Sequence, residues 1–185
     1  MSYQNEKKTL LDLAKKSIQN GLTTQKPLVI NTKEFPTKLQ EFAACFVTLQ
    51  INHQLRGCIG SLTAFRPLVE DVTNNAFAAA FSDPRFPPLG KEEFSELEIH
   101  ISILSKPEPM QFGSEEDLLS QLQPGIDGLI LSDRGYRGTF LPSVWEQLPT
   151  PELFLQHLKL KAGLPEDYWS DTIKIERYEA ELLVE

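Results

Sequence analysis

Two alternating segments lie almost end to end in the chain, and their parity constrains the fold more than any other feature. In 46–51, Val47, Leu49 and Ile51 alternate with Phe46, Thr48 and Gln50. In 55–59, Leu55, Gly57 and Ile59 alternate with Arg56 and Cys58. A period of two is that of a strand with one buried face. Strands this close form a hairpin. Asn52 and His53 are the expected turn residues, because Asn and His tolerate positive φ. An even loop would put Arg56 on the face of Leu49. An odd loop, such as three residues with a bulge, puts Leu55, Gly57 and Ile59 with Val47, Leu49 and Ile51. Only the odd register keeps one face apolar, so it is expected, with Arg56 and Cys58 on the face of Thr48 and Gln50.

Helices and further strands follow irregularly. Leu10, Leu11, Leu13, Ala14 and Ile18 repeat at helical spacing, with Gly21 as a natural stop. Residues 66–82 form a helix, with Pro67 in the first turn and Asp83-Pro84 as the end. Residues 97–104 alternate as a strand, with His100 on its polar face. Ser114 and Asp117 open a short helix. Residues 128–132 and 137–141 pair around Asp133-Arg134-Gly135, and Pro151 opens a helix to Ala162. Residues 173–184 form a last strand region whose apolar parity changes between Ile175 and Tyr178, the mark of a bulge or of two short strands. Strands in hairpins with helices between them make an α+β fold with a mainly antiparallel sheet, not a doubly wound parallel one.

With 185 residues the chain fits one domain, or one with a small annex. Its net charge of −8 argues against nucleic acid and anionic membranes as partners. The longest uncharged stretch, 42–55, is shorter than the roughly 20 apolar residues of a membrane span. No secretory pattern is visible, and two cysteines make no disulfide framework. A reduced, cytoplasmic setting is expected, with Cys45 and Cys58 unbonded.

Cys58 is the candidate for chemistry. Arg56, two residues away along the strand, would favour its thiolate. Gly57 and Gly60 would let a ligand or another backbone come close. Gly60-Ser61 leads toward a helix whose free amides attract anions. The opposing reading is a small buried side chain in a glycine-kinked strand. His100 is either a general base for a neighbouring thiol or carboxylate, or a solvent-facing or hydrogen-bonded histidine with no chemical role. In the rigid loop 83–88, Arg85 either grips a carboxylate or phosphate or pairs locally with Asp83. Arg137 reads as a structural ion partner. His53, His100 and His157 share no ligand spacing, so no metal site is expected, and the residues name no cofactor.

The segments Leu55-Arg56-Gly57-Cys58-Ile59-Gly60-Ser61, Arg66-Pro67-Leu68, 83–89, 137–149 and 160–165 together resemble the AMMECR domain family. They are most similar to its bacterial branch, called AmmeMemoRadiSam system protein A. The resemblance spans about 44–178 and departs at the turn, where relatives often carry Gly and this chain has Asn52-His53. It implies a single domain over 1–185, in which the helix read from spacing at about 6–20 lies ahead of the segment of resemblance. It also implies an antiparallel sheet flanked by helices with a smaller second lobe. The partners it implies are a Memo-like protein and a radical S-adenosylmethionine protein. It supplies no established reaction. Two readings follow. One is an enzyme or enzyme component. In it Arg56 and Arg85 bind a small anionic or modified-side-chain substrate, Cys58 is nucleophile or thiol donor, and His100 shuttles a proton. Gly57, Gly60 and Ser61 then line the site. The other is a non-catalytic adaptor for partner proteins.

Overall fold

The computed structural model describes residues 2–184. The chain divides into two compact units, Met1–Leu104 with Glu181–Glu185, and Ser105–Ala180.

In the first unit, helix α1 (Lys7–Thr24) and the short α2 (Thr37–Gln40) precede the hairpin of β1 (Cys45–Ile51) and β2 (Gln54–Gly60). Helix α3 (Leu68–Phe81) and β3 (Glu98–Leu104) follow. The sheet has the order β2-β1-β3-β8, with β8 (Ala180–Val184) returning from the end of the chain. One face of this sheet is apolar. Val47, Leu49, Ile99 and Ile101 pack there with Leu10, Ile18, Val72 and Ala76 of the two long helices. The helix spacing read from the sequence supplies those apolar stripes.

Gly21 does not stop α1. The helix runs on to Thr24 and ends where Gln25 turns left-handed at φ 57°. A Cβ on Gly21 would lie 2.3 Å from the Phe81 ring and 2.9 Å from that of Phe77. Gly21 is thus a contact point between α1 and α3, not a terminus.

The hairpin has the expected turn and a different register device. Asn52 and His53 alone form the loop, at φ 52° and 61°, so the loop is even. Gln50 pairs with Leu55 and Leu49 with Gly57, which leaves Arg56 as the extra residue of a β-bulge. The bulge, not the loop, changes the parity. Gly57 and Ile59 join Leu49 and Val47 as expected, while Leu55 falls on the other face, 43% exposed.

The second unit carries β4 (Glu108–Pro109), α4 (Glu115–Gln121), β5 (Gly128–Asp133), β6 (Tyr136–Phe140), α5 (Pro151–Lys161) and β7 (Lys174–Tyr178). Its sheet order is β4-β7-β5-β6, all antiparallel. The Ser114 side chain caps α4 by accepting from the Asp117 amide, and that of Thr150 caps α5 by accepting from Leu153. Leu129, Leu131 and Ile175 pack against Phe154, Leu155 and Leu158. The Trp145 ring stacks on Phe154 at 3.8 Å and donates its Nε1–H to Asp127 O at 2.7 Å. Buried Lys159 is held by Glu115 at 2.5 Å. The parity change after Ile175 is a change of sheet: β7 ends in the second unit, and β8 belongs to the first unit's sheet. The fold is α+β with two antiparallel sheets flanked by helices.

Candidate functional site

Cys58 lies opposite Thr48 across β1 and β2, and its Sγ is 3.1 Å from Thr48 Oγ1. Both outward backbone groups of Cys58 are taken by side chains. Its N–H donates to Asp83 Oδ2 at 2.9 Å, and its carbonyl accepts from Arg85 Nη2 at 3.3 Å. A residue whose N–H and C=O face away from the partner strand sits in a non-hydrogen-bonded pair, where opposed side chains come closest. The thiol–hydroxyl contact follows from that position. Cys58 is half-buried, Cys45 is fully buried, and both are free. Burial, reinforced by the nearby Asp71 carboxylate, pushes the Cys45 thiol well above its ordinary value.

Asp83 and Arg85 form a fork. Arg85 Nε donates to Asp83 Oδ1 at 3.0 Å and Nη2 to Oδ2 at 2.7 Å, and the Arg85 amide reaches Oδ1 at 3.1 Å. The guanidinium and the Cys58 amide hold the Asp83 carboxyl well below the usual carboxylate range, against the opposing effect of burial. The same pair raises Arg85. Of the two roles open to Arg85, the structure contains the local pairing, while the side chain remains 54% exposed.

Arg56 leaves the strand at the bulge. Its Nε and Nη2 grip Glu93 at 2.6 and 3.0 Å, and Nη2 also donates to the Pro87 carbonyl at 3.0 Å. Arg56 holds Glu93 below its ordinary value, helped by the Gly90 amide at 2.7 Å. The Phe86 ring lies 5.8 Å from the Arg56 guanidinium and 5.5 Å from that of Arg85. Arg56 Nη1 is buried and is the one such side-chain polar atom without a hydrogen-bond partner among the described residues.

His100 lies opposite Thr48 on β3. Cys58, Thr48 and His100 therefore form one row across three strands, and His100 stands two strand spacings, about 9–10 Å, from Cys58. The structure brings the thiol beside a hydroxyl and not beside the imidazole. Gly57 admits another backbone: a Cβ there would lie 2.1 Å from Ala79 O of α3. At Gly60 a Cβ would meet the Phe46 ring at 2.3 Å and Cys45 O at 2.5 Å. Ser61 turns to a second polar centre. Buried Asp71 accepts from the Cys45 amide at 2.9 Å, Asn75 at 3.0 Å, Arg66 Nε at 2.7 Å and Ser61 Oγ at 3.2 Å. The Leu68 amide at the start of α3 is taken by Glu41 O at 2.9 Å. Among the described residues no three His, Cys, Asp or Glu side chains converge as a metal site.

Sequence reasoning missed Glu93, Thr48, Asp71 and Asn75 as partners. Asp71 and Asn75 carried a signal, since polar residues four apart break the apolar stripe of a helix. Glu93 carried none.

Residues 11–183 match the AMMECR1 family. The chain belongs to the AMMECR1 family. Protein MJ0810 of Methanocaldococcus jannaschii is 37% identical over 180 residues, covering 93% of this chain and 86% of that protein. A protein of Methanothermobacter thermautotrophicus is 34% identical over 188 residues, covering 98% and 95%. The crystal structure of the uncharacterized protein PH0010 from Pyrococcus horikoshii superposes with a TM-score of 0.84 at 36% identity, covering 94% of this AMMECR1 chain and 88% of that one. No helix among the described residues is long and apolar enough to cross a membrane.

Proposed function

We propose that this AMMECR1 protein is an enzyme or enzyme component whose reacting group is the Cys58 thiol. The observation that carries the reading is the double clasp on the Cys58 backbone, which fixes a half-open thiol beside the Thr48 hydroxyl. A reacting group held on a strand by its own supporting contacts is what positioned chemistry requires. Asp83 and Arg85 act as positioning residues, and Glu93 neutralises Arg56. With both arginines paired, the surroundings favour an uncharged acceptor, such as the carbonyl of a modified side chain, over a small free anion. His100 serves as a proton shuttle only across the row, through Thr48 or a bound substrate. The segments 137–149 and 160–165 support the bacterial branch of the family, and with it a Memo-like and a radical S-adenosylmethionine protein as partners; two unbonded cysteines are in keeping with a cytoplasmic setting.

The adaptor reading is favoured by one observation: no imidazole or carboxylate hydrogen-bonds the thiol among the described residues. Alkylation separates the two. Under the thiol-site reading, iodoacetamide at neutral pH labels Cys58 at least about tenfold faster than Cys45, and Cys58→Ser keeps its folded circular dichroism spectrum. Equal slow labelling, or an unfolded Cys58→Ser protein, returns Cys58 to the core and leaves the adaptor.

A further inference from the structure

Arg137 opens the 137–149 segment, and its neighbours in the fold make it more than an ion partner. Its side chain has no hydrogen-bond or ion-pair partner among the described residues, and neither has that of Lys174. The register places both: Arg137 pairs with Ser132 across β5 and β6, and Lys174 pairs with Ser132 across β5 and β7. The three side chains stand in one row with Ser132 at the centre. The next row, Gly138, Leu131 and Ile175, faces the core, so this row faces out. Its two cations start about 9–10 Å apart at their Cα atoms, close enough for both side chains to converge above Ser132 Oγ.

This row lines a shallow cleft of about 520 Å³ together with the Asp133–Tyr136 turn and Thr172. Arg134 adds a third cation. The one carboxylate lining the cleft, Asp133, keeps its charge, which Arg134 helps to balance, but its oxygens are occupied. It accepts from Tyr168 at 2.7 Å, Ser170 at 2.6 Å and Thr172 at 2.7 Å. The Ser132 hydroxyl, by contrast, has no partner among the described residues. Three cations against one carboxylate make a positive cleft on a chain of net charge −8. Ser132 and Lys174 also line an adjoining cavity of about 650 Å³ that holds Phe112 and Trp169, whose rings are 5.7 Å apart. Asp171 and Glu176 on that cavity's wall disfavour a second negative charge there.

We infer that this cleft binds the phosphate of a small organic phosphate monoester whose ring-bearing body lies toward Phe112 and Trp169. A guanidinium, an ammonium and a hydroxyl approaching from three strands suit a group with three terminal oxygens better than a planar carboxylate, which one arginine fork satisfies. The inference is independent of Cys58.

Calorimetry on the full chain at low salt tests it, with phenyl phosphate as the probe and inorganic phosphate and benzoate as controls. Phenyl phosphate is expected to bind one to one and more tightly than either control. Arg137→Ala and Lys174→Ala should each weaken it about tenfold. Trp169→Ala should weaken phenyl phosphate and leave inorganic phosphate unchanged, and Cys58→Ser should change nothing. No saturable binding in the millimolar range, benzoate binding as tightly as phenyl phosphate, or full affinity in a folded Arg137→Ala/Lys174→Ala protein would each overturn it.

Discussion

In the first unit Arg56, Arg66 and Arg85 each rest on a carboxylate, at 2.6, 2.7 and 2.7 Å. In the second, Arg137 and Lys174 rest on none among the described residues. The paired arginines belong to the segments that stand out in the sequence. Two of them hold down the loop after α3: Arg56 through Glu93 and the Pro87 carbonyl, Arg85 through Asp83 and the Cys58 carbonyl. The free cations sit on β6 and β7, on either side of β5, and of the two only Arg137 lies in such a segment. A charge inside a conspicuous segment can be there for the fold, as Arg56 is, and one outside any such segment, as Lys174 is, for a ligand.

If the contrast is real, damage to the first region costs stability and damage to the second does not. The largest effect is expected at Gly57. A Cβ 2.1 Å from Ala79 O meets backbone on both sides, so neither strand nor helix can yield by a rotamer change. Gly57→Ala should destabilise by about 3 kcal/mol or more in urea unfolding. A loss under half of that would mean that β2 and α3 separate easily.

Arg56→Ala comes next. Removing one partner of a fully buried pair costs about 3–5 kcal/mol. Glu93 keeps 30% of its side-chain surface, so its stranded charge can reach water, and about 2 kcal/mol is expected. An unchanged midpoint would move Arg56 out of the brace and into a ligand-binding role.

Acid separates the carboxylates more gently. Asp83 and Glu93 are held below their ordinary values, and Asp133 is at about 2 through its three hydroxyl donors. A folded-state pKa below the unfolded one means stability that is fully present above the unfolded value, near 4, and lost as pH falls through the folded values. The urea midpoint should therefore fall from about pH 4 downward. Asp83→Asn and Asp133→Asn should each flatten that fall, the first by loosening the first unit's clasp and the second without touching it. An unaltered acid limb in both variants would assign the loss to other groups.

The smallest effect is expected where the comparison is sharpest. Arg137→Ala and Lys174→Ala should each leave stability within about 0.5 kcal/mol, as exposed side chains without partners do. A larger loss in either would make it a structural residue after all.

The hairpin, the positive-φ turn at Asn52-His53 and helix α3 were legible because parity, turn chemistry and helical spacing are local signals. The source of the odd parity was not. A three-residue loop and a two-residue loop with a bulge at Arg56 give Gly57 and Ile59 the same face, and only Leu55 tells them apart. Gly21 reads as a helix stop because its actual reason, the Phe77 and Phe81 rings, lies on another helix. The parity change near Ile175 cannot reveal that the chain moves to a second sheet. Cys58 and Arg85 were singled out and lie together, but Glu93 is 37 residues from Arg56, and nothing in either residue's surroundings announces the other. Thr48 was placed on the correct face, while its contact with the thiol depends on which cross-strand pairs turn their backbone groups outward.

β2 is the outermost strand of its sheet. A bare outer strand offers N–H and C=O groups to any extended segment that arrives, which is how sheets grow from one molecule into the next. At Cys58 both of those groups are already held by Asp83 and Arg85. An incoming strand would have to displace the Asp83 carboxylate from the Cys58 N–H and the Arg85 guanidinium from its carbonyl before pairing there. The clasp on Cys58 therefore also works as a guard against aggregation along that edge, and a variant that loosens it should be watched for fibrils as well as for lost stability.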